Sequence, residues 1–425
     1  MEYYAKSKKV QFTSERINEI KKNMKNIEEC LKENLTETDI EILNSSITDI
    51  AEKTEEKQKT LKEHHKDIVT CAEMFFLEYG EYFTEKEKKL VVEACRIHDL
   101  GKVNLVFQAM ICPKLAEKFY IDVRKTQQIP HGFLSAVTIS LDEFDDLSEL
   151  FSDKDFGPFI TAVYYHHDRE DHYNSPAIRK YAEKYYMKQI EEYLNRKIRK
   201  LNCSNLDDLL FRNNVYTGKY IPDSNAWKEY LLIKGLLNKF DYTVSAGYEN
   251  AESVIDLHEK KLVKNIEKFL NGKELRPAQK FMKMNRDKNL IVIAPTGSGK
   301  TEASLLWMNG EKSFYTLPLK VSSNAIYLRI KENYEYKDVA LLHSDAMAVY
   351  LREYNGNEDI GEKYERSKML SQPLTVCTVD QLFRFVYRAL GTEIFAATLK
   401  YSKLVLDEIQ AYEPRVIATI IYGLK

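Results

Sequence analysis

The run IVIAPTGSGKTEAS, residues 291–304, limits the possible folds more than any other stretch of the sequence. An apolar segment, predicted to be a β-strand, leads into a glycine-containing loop and then into a predicted helix. Glycines let backbone N–H groups wrap around a phosphate, and the positive end of the helix dipole adds to the attraction. The loop residues predicted to hold a nucleotide are Thr296, Gly297, Ser298, Gly299, Lys300 and Thr301. Lys300 is expected to reach the β- and γ-phosphates and Thr301 to bind Mg²⁺, so the predicted cofactor is ATP with Mg²⁺.

Four further apolar segments follow this loop, and each is predicted to be a buried strand separated from the next by a helical stretch. They are SFYTLPL (313–319), VALLHS (339–344), LTVCTV (374–379) and KLVLDE (403–408). Such alternation is typical of a mostly parallel sheet covered by helices on both faces. Asp407 and Glu408 end the last strand, where an Asp holds Mg²⁺ through water and a Glu orients the attacking water. We therefore predict an α/β P-loop domain over residues 275–425.

The first part of the chain has a different pattern. Residues 1–255 are rich in Lys, Glu, Tyr and Leu, and their apolar residues recur at spacings of three and four, which predicts helices. One such stripe consists of Leu61, His64, Ile68, Cys71, Ala72 and Phe75. A charged segment at 256–274 is predicted to be a linker. The 425 residues suffice for two or three domains, and we predict a multidomain chain in which an all-α domain precedes the α/β domain.

Histidines and carboxylates form an ordered series along the helical part. Neighbouring helical residues point about 100° apart, so a single hydrogen bond in a core would not need both His98 and Asp99. A lone histidine is more often a core or surface residue, but the whole series favours a metal site. Imidazole and carboxylate without thiolate suit first-row divalent metals that keep open coordination positions. The candidate ligands are His64, His98, Asp99, His131, His166, His167 and Asp241.

The predicted site has one bridging residue and one ligand with two candidates. Asp99 is placed to bridge two ions, which lie about 3.5–4 Å apart in two-metal hydrolases. The first ligand remains open between His64 and His65. His64 is favoured because its helical stripe continues with apolar residues, whereas the stripe of His65 runs into Glu73.

Composition excludes several classes of protein. The formal net charge is −2, so nucleic-acid binding would have to use local basic patches. Six cysteines are scattered without a CxxC pair, which argues against a disulfide framework or a cysteine zinc site. The sequence shows neither a secretory signal nor a run of about 18 apolar residues, so we expect a cytoplasmic protein with no membrane partner.

The histidine series resembles that of the HD phosphohydrolase superfamily. HDLGK (98–102), His131 and the pair His166-His167 are similar to the nuclease domain of the CRISPR-associated type I helicase-nuclease. The resemblance implies an all-α HD-type metal-dependent phosphohydrolase domain over residues 1–255, with two divalent transition-metal ions (Mn, Fe, Co or Ni). It implies that one ion is held by His64, His98, Asp99 and Asp241, and the second by His131, His166, His167 and the shared Asp99. Lys102 would then steady phosphate charge in the transition state.

The second half resembles superfamily 2 helicases. LRPAQ (275–279) is similar to their adenine-reading element, with Gln279 as the reader. TLPLKVSSNAIYLRI (316–330) and TVCTVDQLF (375–383) resemble elements that contact the nucleic-acid backbone, which neutral hydroxyls and amides can do. The candidate contacts are Thr316, Ser322, Thr378 and Gln381.

The same resemblance implies the first RecA-like helicase lobe and an incomplete motor. The second lobe would be supplied in cis or in trans, and the ATPase activity of this chain alone is expected to be weak. Gln410 stands where histidine is commonest in the family, so the resemblance does not extend to the residue that couples ATP state to a second lobe.

The leading hypothesis is a metal-dependent single-stranded DNA nuclease coupled to an ATP-dependent translocase or helicase, acting in CRISPR interference, which is an antiviral defence. The resemblance implies a guide-RNA surveillance complex of a type I CRISPR system as partner. An HD phosphohydrolase of nucleotides with a regulatory P-loop domain is the alternative, although the helicase-like elements speak against it. A binding module without catalysis would become credible if the purified chain held no metal.

A tyrosine-rich basic segment, residues 177–202, allows two interpretations. Its tyrosines are Tyr181, Tyr185, Tyr186 and Tyr193. They could stack on bases of single-stranded DNA, or they could pack inward from an amphipathic helix with a solvated basic face. The second interpretation is favoured.

Overall fold

A computed structural model describes most of the chain outside the N-terminal region. The described residues are 3–5, 59–139, 156–167, 174–198, 201, 224–253, 255–353, 360–387, 389 and 391–424. They form two compact units. The first unit contains the described residues up to 251 together with residues 387–397, and the second contains the described residues of 252–386 and 398–424.

The first unit is helical as far as it is described. Its helices are α1 (Leu61–Tyr79), α2 (Glu85–Ile97), α3 (Leu105–Ile111), α4 (Pro113–Lys118), α5 (His131–Thr138), α6 (Phe156–Tyr164), α7 (Ser175–Tyr185), α8 (Met187–Leu194) and α9 (Ser224–Ser245). Short 3₁₀ turns at Gly80–Tyr82 and Leu100–Val103 join some of them. The helical prediction for this part is therefore confirmed.

Local sequence signals explain where the helix that carries His64 begins. Thr60 caps α1, because its hydroxyl accepts from the Glu63 backbone N–H while the Glu63 carboxylate accepts from the Thr60 backbone N–H. Such a reciprocal cap satisfies two backbone donors that a helix start leaves free. The predicted stripe of α1 is buried along its whole length, and His64 is part of it.

A segment from late in the sequence also packs within the first unit. Helix α18 (Glu393–Leu399) lies against α9 at Gly235, where an added Cβ would collide with the carbonyl oxygen of Glu393 and lie 2.6 Å from the Cβ of Ala397. The buried Lys234 ammonium lies 2.9 Å from the Glu393 carboxylate. The small glycine and this buried ion pair fix the position of Glu393 against α9.

The second unit contains a parallel sheet of four strands. Its strands are β1 (Ser313–Leu317), β2 (Val339–Leu342), β3 (Leu374–Thr378) and β4 (Lys403–Leu406), in the order β2-β3-β1-β4. Its helices are α10 (Asp256–Glu259), α11 (Lys261–Leu270), α12 (Pro277–Met284), α13 (Lys300–Met308), α14 (Lys320–Glu332), α15 (Ala346–Arg352), α16 (Ile360–Lys368), α17 (Val379–Leu382) and α19 (Pro414–Gly423). Every described strand pair is parallel. The predicted α/β class and these strands are confirmed.

The prediction of a strand just before the nucleotide loop is wrong. Residues 289–295 have no strand assignment, and no ladder joins them to β4. Ile291 is 93% exposed and Ile293 is 97% exposed, whereas Leu290 and Val292 are half-buried. The segment thus keeps the alternation of a strand without its hydrogen bonds, because alternation is a local property and pairing needs a neighbouring strand in register.

Within the described residues, the helices are all too short or too polar to cross a bilayer.

Candidate metal centre and nucleotide site

Two groups of ligating side chains meet within the first unit. The first group is His64, His98, Asp99 and Asp241, and the second is Asp99, His131, His166 and His167. In each group the ligating atoms all lie within 4.8 Å of one another. The structure therefore brings together all the candidate ligands of the sequence analysis, from α1, α5, α9 and the ends of α2 and α6.

The two oxygens of Asp99 face different groups. Oδ2 lies 3.3 Å from His64 Nε2 and 3.4 Å from His98 Nε2. Oδ1 lies 3.2 Å from His131 Nε2 and 3.5 Å from His166 Nε2. A carboxylate placed in this way can give one oxygen to each of two cations, as a bridging ligand does.

Backbone carbonyls fix which nitrogen of two rings can bind a metal. His98 Nδ1 lies 3.1 Å from the Cys95 carbonyl oxygen, and His166 Nδ1 lies 2.7 Å from that of Val163. A carbonyl only accepts, so each Nδ1 carries the proton and donates it. The Nε2 lone pairs therefore point toward the centre, which is the usual arrangement of metal-bound histidine.

The residues present fit a divalent cation in each group. His64 Nε2, His98 Nε2 and Asp99 Oδ1 are buried and make no well-aligned hydrogen bond among the described residues, although they lie close together. Buried polar atoms without partners cost about 1–3 kcal/mol each. Imidazole nitrogen and carboxylate oxygen are good donors to first-row divalent metals. A cation would satisfy these atoms together.

Burial and neighbouring charges hold most of these groups in their ligating form at neutral pH. Burial lowers the pKa of His131 to about 3, although Asp99 opposes this shift. Burial likewise lowers the pKa of His166. Burial alone would raise the pKa of Asp99, but His98 and Lys102 outweigh it, and the pKa lies well below its usual range.

His64 differs from these rings. Burial lowers its pKa, but the adjacent carboxylates of Asp241 and Asp99 outweigh burial, and the net shift is upward. His64 Nε2 lies 3.2 Å from Asp241 Oδ1. The carboxylates that attract a proton to this position would equally attract a cation.

Two glycines allow the ligand-bearing segments to approach closely, and the sequence analysis missed both roles. An added Cβ on Gly101 would collide with the His131 carbonyl oxygen, and one on Gly132 would lie 2.7 Å from the Tyr164 carbonyl oxygen. The Gly101 N–H donates to Ser135 Oγ at 2.8 Å. The glycines that follow the HD pair and His131 were the only available signal, and their meaning depends on packing that the sequence does not show.

Lys102 is directed at the centre. Its ammonium lies 2.6 Å from Asp99 Oδ2, and the side chain is buried. The ammonium also lies 6.0 Å from the centroid of the Phe107 ring. A cation held here can act on anionic groups that approach Asp99.

His65, the alternative first ligand, belongs to neither ligating group. Its Nδ1 instead lies 3.3 Å from the hydroxyl oxygen of Tyr193. The His64 ring is the one that faces the two carboxylates.

The tyrosine-rich segment packs largely inward where it is described. The buried Tyr181 donates to Asn104 Oδ1 at 3.0 Å, and the buried Tyr186 shares a hydrogen bond of 2.6 Å with Thr138. These contacts support the amphipathic interpretation for both residues. Tyr193 remains half-exposed.

In the second unit, the nucleotide loop has the backbone that a phosphate site requires. Gly297 has φ +77° and Gly299 has φ +84°. Residues other than glycine rarely adopt this left-handed backbone conformation. The loop precedes α13, which begins at Lys300. Gln279 is buried, and its amide donates to the Gly299 carbonyl oxygen at 3.4 Å. The predicted adenine reader therefore lies against the loop.

The acidic pair at the end of β4 faces the loop. Glu408 Oε1 lies 3.2 Å from the Lys300 ammonium, which holds the pKa of Glu408 below its usual range. Asp407 accepts from the Tyr315 hydroxyl at 2.6 Å and from the Glu408 backbone N–H at 2.9 Å. Glu408 has φ +51°. The sequence did not predict this role of Tyr315, because a tyrosine in a buried strand is normally interpreted as a core residue.

The candidate nucleic-acid contacts have different environments. Thr316 is fully buried and donates to the Val405 carbonyl oxygen at 2.9 Å, so its hydroxyl fastens β1 to β4. Thr378 is also buried, whereas Ser322 and Gln381 are half-exposed. Only Ser322 and Gln381 are open to a ligand without rearrangement.

Comparison with known proteins classifies both parts of the chain. Residues 51–225 match the family described as "Cas3, HD domain", and residues 277–421 match the family described as "DEAD/DEAH box helicase". A helical HD-type domain is therefore followed by a helicase-type P-loop domain. This order supports a Cas3-type fusion of an HD domain with a helicase domain.

Similar whole proteins agree with this classification. The CRISPR-associated nuclease/helicase Cas3 of Methanothermobacter thermautotrophicus is 25% identical over an alignment 439 residues long, gaps included. The alignment covers 88% of this chain and 51% of the relative. The crystal structure of T. fusca Cas3 has a TM-score of 0.56 at 17% identity, covering 87% of this chain and 47% of that one. Its ADP complex has a TM-score of 0.54 at 18% identity, with the same coverage. The chain thus spans about half the length of these proteins, and the likeness to the solved structures concerns the fold.

Proposed function

We propose that the chain is a metal-dependent nuclease for single-stranded DNA, coupled to ATP-driven translocation in CRISPR interference. The observation that carries the proposal is the placement of two ligating groups on the two oxygens of Asp99. Such a bridged pair suits the hydrolysis of phosphodiesters, in which charge develops on both the attacking and the leaving oxygen. The helicase-type domain on the same chain favours a nucleic-acid substrate over a small nucleotide.

The residues of the first unit have defined tasks in this proposal. One divalent cation would be held by His64, His98 and Asp241 and the other by His131, His166 and His167, with Asp99 available to both. Bound cations would polarise the phosphate and supply a nucleophilic water near neutral pH. The buried Lys102 ammonium stabilises negative charge on the phosphate oxygens. Burial of the rings keeps bulk water away from the ligands.

The residues of the second unit bind and hydrolyse ATP in this proposal. Gln279 reads the adenine, and Lys300 leaves Glu408 to bind the β- and γ-phosphates. Asp407 would hold Mg²⁺ through water, and Glu408 would orient the attacking water. The observed Lys300–Glu408 pair keeps both side chains at the loop before nucleotide binds.

A guide-RNA surveillance complex of a type I CRISPR system is the proposed partner. The support is the CRISPR-associated nuclease/helicase that this chain resembles over 88% of its length. The complex would present a displaced single strand as the substrate.

The test is cleavage of circular single-stranded DNA in the presence of Mn²⁺, Co²⁺ or Ni²⁺. Asp99→Ala removes the shared carboxylate and should abolish both cleavage and stoichiometric metal binding. Asp122→Ala serves as the control, because Asp122 is an exposed carboxylate of the same unit. Full activity of Asp99→Ala would contradict the proposal. Turnover of mononucleotides without cleavage of DNA would instead favour a nucleotide phosphohydrolase.

A further inference from the structure

His65 and Tyr193 form a hydrogen-bonded pair beside the metal centre, and neither residue has a task in the proposed mechanism. His65 follows His64 on α1, but its ring belongs to neither ligating group. The centroid of its ring lies 5.9 Å from that of His98. The imidazole therefore borders the first group without entering it.

One ring nitrogen of His65 is hydrogen-bonded to Tyr193. The hydroxyl oxygen lies 3.3 Å from His65 Nδ1. Burial and the negative charge of Asp99 raise the pKa of Tyr193 to about 12, so the phenol keeps its proton and can donate it to Nδ1. When the phenol donates, Nδ1 accepts, and the neutral imidazole has its proton on Nε2.

In this tautomer, Nε2 of His65 is a hydrogen-bond donor without an acceptor in the described part of the chain. The atom is buried and has no hydrogen-bond partner among the described residues. Unpaired buried polar groups are few in native proteins, and a catalytic role or a bound water or ion explains some of them. An acceptor that approached the metal centre could pair with this N–H.

The same pair extends from the centre toward the surface. Tyr193 is half-exposed, and the ammonium of the exposed Lys62 lies 5.9 Å from the centroid of its ring. On another side, the ring of Tyr3 contacts Tyr193 edge to face at 5.8 Å. A cation, an aromatic ring and an imidazole donor thus follow one another from solvent to His98, and all three suit a nucleic-acid strand.

We propose that His65 binds a phosphate of the DNA strand next to the scissile one, with its Nε2–H as the donor. Tyr193 is a positioning residue that holds the ring in this tautomer, and Lys62 adds positive charge at the surface end. The proposal rests on the proposed nuclease function. Because His65 lies outside both ligating groups, the contact acts on binding of the strand and leaves metal binding unchanged.

The test compares two amide replacements of the same imidazole in the full chain. In His65→Gln the amide nitrogen can reach the position of Nε2, whereas in His65→Asn the amide ends near Nδ1 and the donor is lost. With Mn²⁺ bound, His65→Asn should raise the KM for circular single-stranded DNA about tenfold, with kcat nearly unchanged. His65→Gln should stay within about twofold of the wild type.

Tyr193→Phe tests the positioning role, and Tyr185→Phe is its matched control from the neighbouring helix. Tyr193→Phe should raise KM by about threefold, while Tyr185→Phe should have no effect. Metal content, measured by elemental analysis, should equal that of the wild type in every variant. Loss of metal in His65→Asn, equal effects of the two His65 replacements, or an unchanged KM in His65→Asn would each overturn the proposal.

Binding is measured separately, so that failure of the nuclease function can be distinguished. Fluorescence anisotropy with a labelled phosphorothioate oligonucleotide in Mn²⁺ should show about tenfold weaker binding for His65→Asn and little change for His65→Gln. A wild type that binds the oligonucleotide in this pattern but never cleaves DNA would contradict the proposed function and still support the contact. Equal oligonucleotide affinity of all variants would refute it.

Discussion

Single atoms decide what the two sites of this chain can do. At the metal centre, each carboxylate oxygen of Asp99 faces a different set of imidazoles. At the nucleotide site, the carboxylate of Asp407 is already held by two donors, the Tyr315 hydroxyl and the Glu408 backbone N–H. Both carboxylates are thus oriented before a cation binds, which lowers the cost of binding.

Tyr315→Phe should weaken the binding of Mg²⁺·ATP. The phenol donates to Asp407 at 2.6 Å, and a hydrogen bond to a charged group contributes about 1.5–3 kcal/mol. We expect about a tenfold loss of affinity for Mg²⁺·ATP by isothermal titration calorimetry. Affinity for ATP in excess EDTA should not change, because Asp407 acts through Mg²⁺. An equal loss in both conditions would show a general disturbance of the fold.

Stability of the metal-free chain should fall as the pH is lowered from about 6.5 toward 3, and His131 should account for part of this fall. Its pKa is about 3 in the folded protein, because of burial, against about 6.5 in an unfolded chain. The unfolded state therefore binds more protons in this range, so acid favours unfolding. The raised pKa of His64 acts in the opposite sense, since stability from that ring is lost as the pH rises.

The difference between wild type and His131→Asn isolates this contribution. Urea unfolding in EDTA at a series of pH values should give a shallower pH dependence for the variant between pH 6.5 and 3. Parallel curves for the two proteins would contradict the assignment of a neutral buried His131.

At the scale of the element, the centre depends on how closely the 3₁₀ turn Leu100–Val103 lies against α5. Gly101 makes this contact possible, since any Cβ there would collide with the His131 carbonyl oxygen. The adjoining Gly101 N–H is bonded to Ser135 of the same helix. Ligands on the two elements are therefore placed by backbone contact.

Gly101→Ala should reduce both the metal content and the stability of the first unit. Overpacking of this kind typically costs about 1–3 kcal/mol, and it would separate Asp99 from His131. Gly80→Ala is the control, because an added Cβ there meets only the flexible end of Lys88. Elemental analysis and thermal unfolding should show a loss for Gly101→Ala alone. Normal metal content in a stable Gly101→Ala protein would contradict this account.

Helical periodicity in the sequence was enough to predict the buried stripe of α1, because each residue's environment there depends on its near neighbours. The sheet class followed from the alternation of apolar segments and helices. Periodicity could not place Asp241 beside His64, because their approach depends on how α9 packs on α1, and only the family resemblance suggested it. The sequence could not show that segment 290–294 is unpaired, because strand pairing depends on neighbours in space.

At the scale of the whole chain, each ligand should stabilise the unit that binds it. A ligand that binds only the folded state stabilises it by about 2.7 kcal/mol at a hundredfold excess over its Kd. The metal ligands all belong to the first unit, and the nucleotide loop belongs to the second. Stability should therefore respond separately in the two units.

Hydrogen exchange measured by mass spectrometry tests this expectation. Mn²⁺ should slow exchange in peptides from α1, α5 and α9, and Mg²⁺·ATP should slow exchange in peptides from residues 275–317. EDTA should reverse the slowing by Mn²⁺ and leave hydrogen exchange in peptides from the β-strands unchanged. Protection of the α1 peptides by Mg²⁺·ATP alone would contradict separate responses.

The close approach at Gly101 limits how near two ligand-bearing segments can come. Main chain rests on main chain there, so the backbone segments that carry Asp99 and His131 are already as close as the thickness of the polypeptide allows. Packing changes elsewhere in the helices could tilt these segments, but they could not bring the two backbones closer at Gly101. A smaller cage would therefore require different ligand side chains, because the two backbones are already in contact.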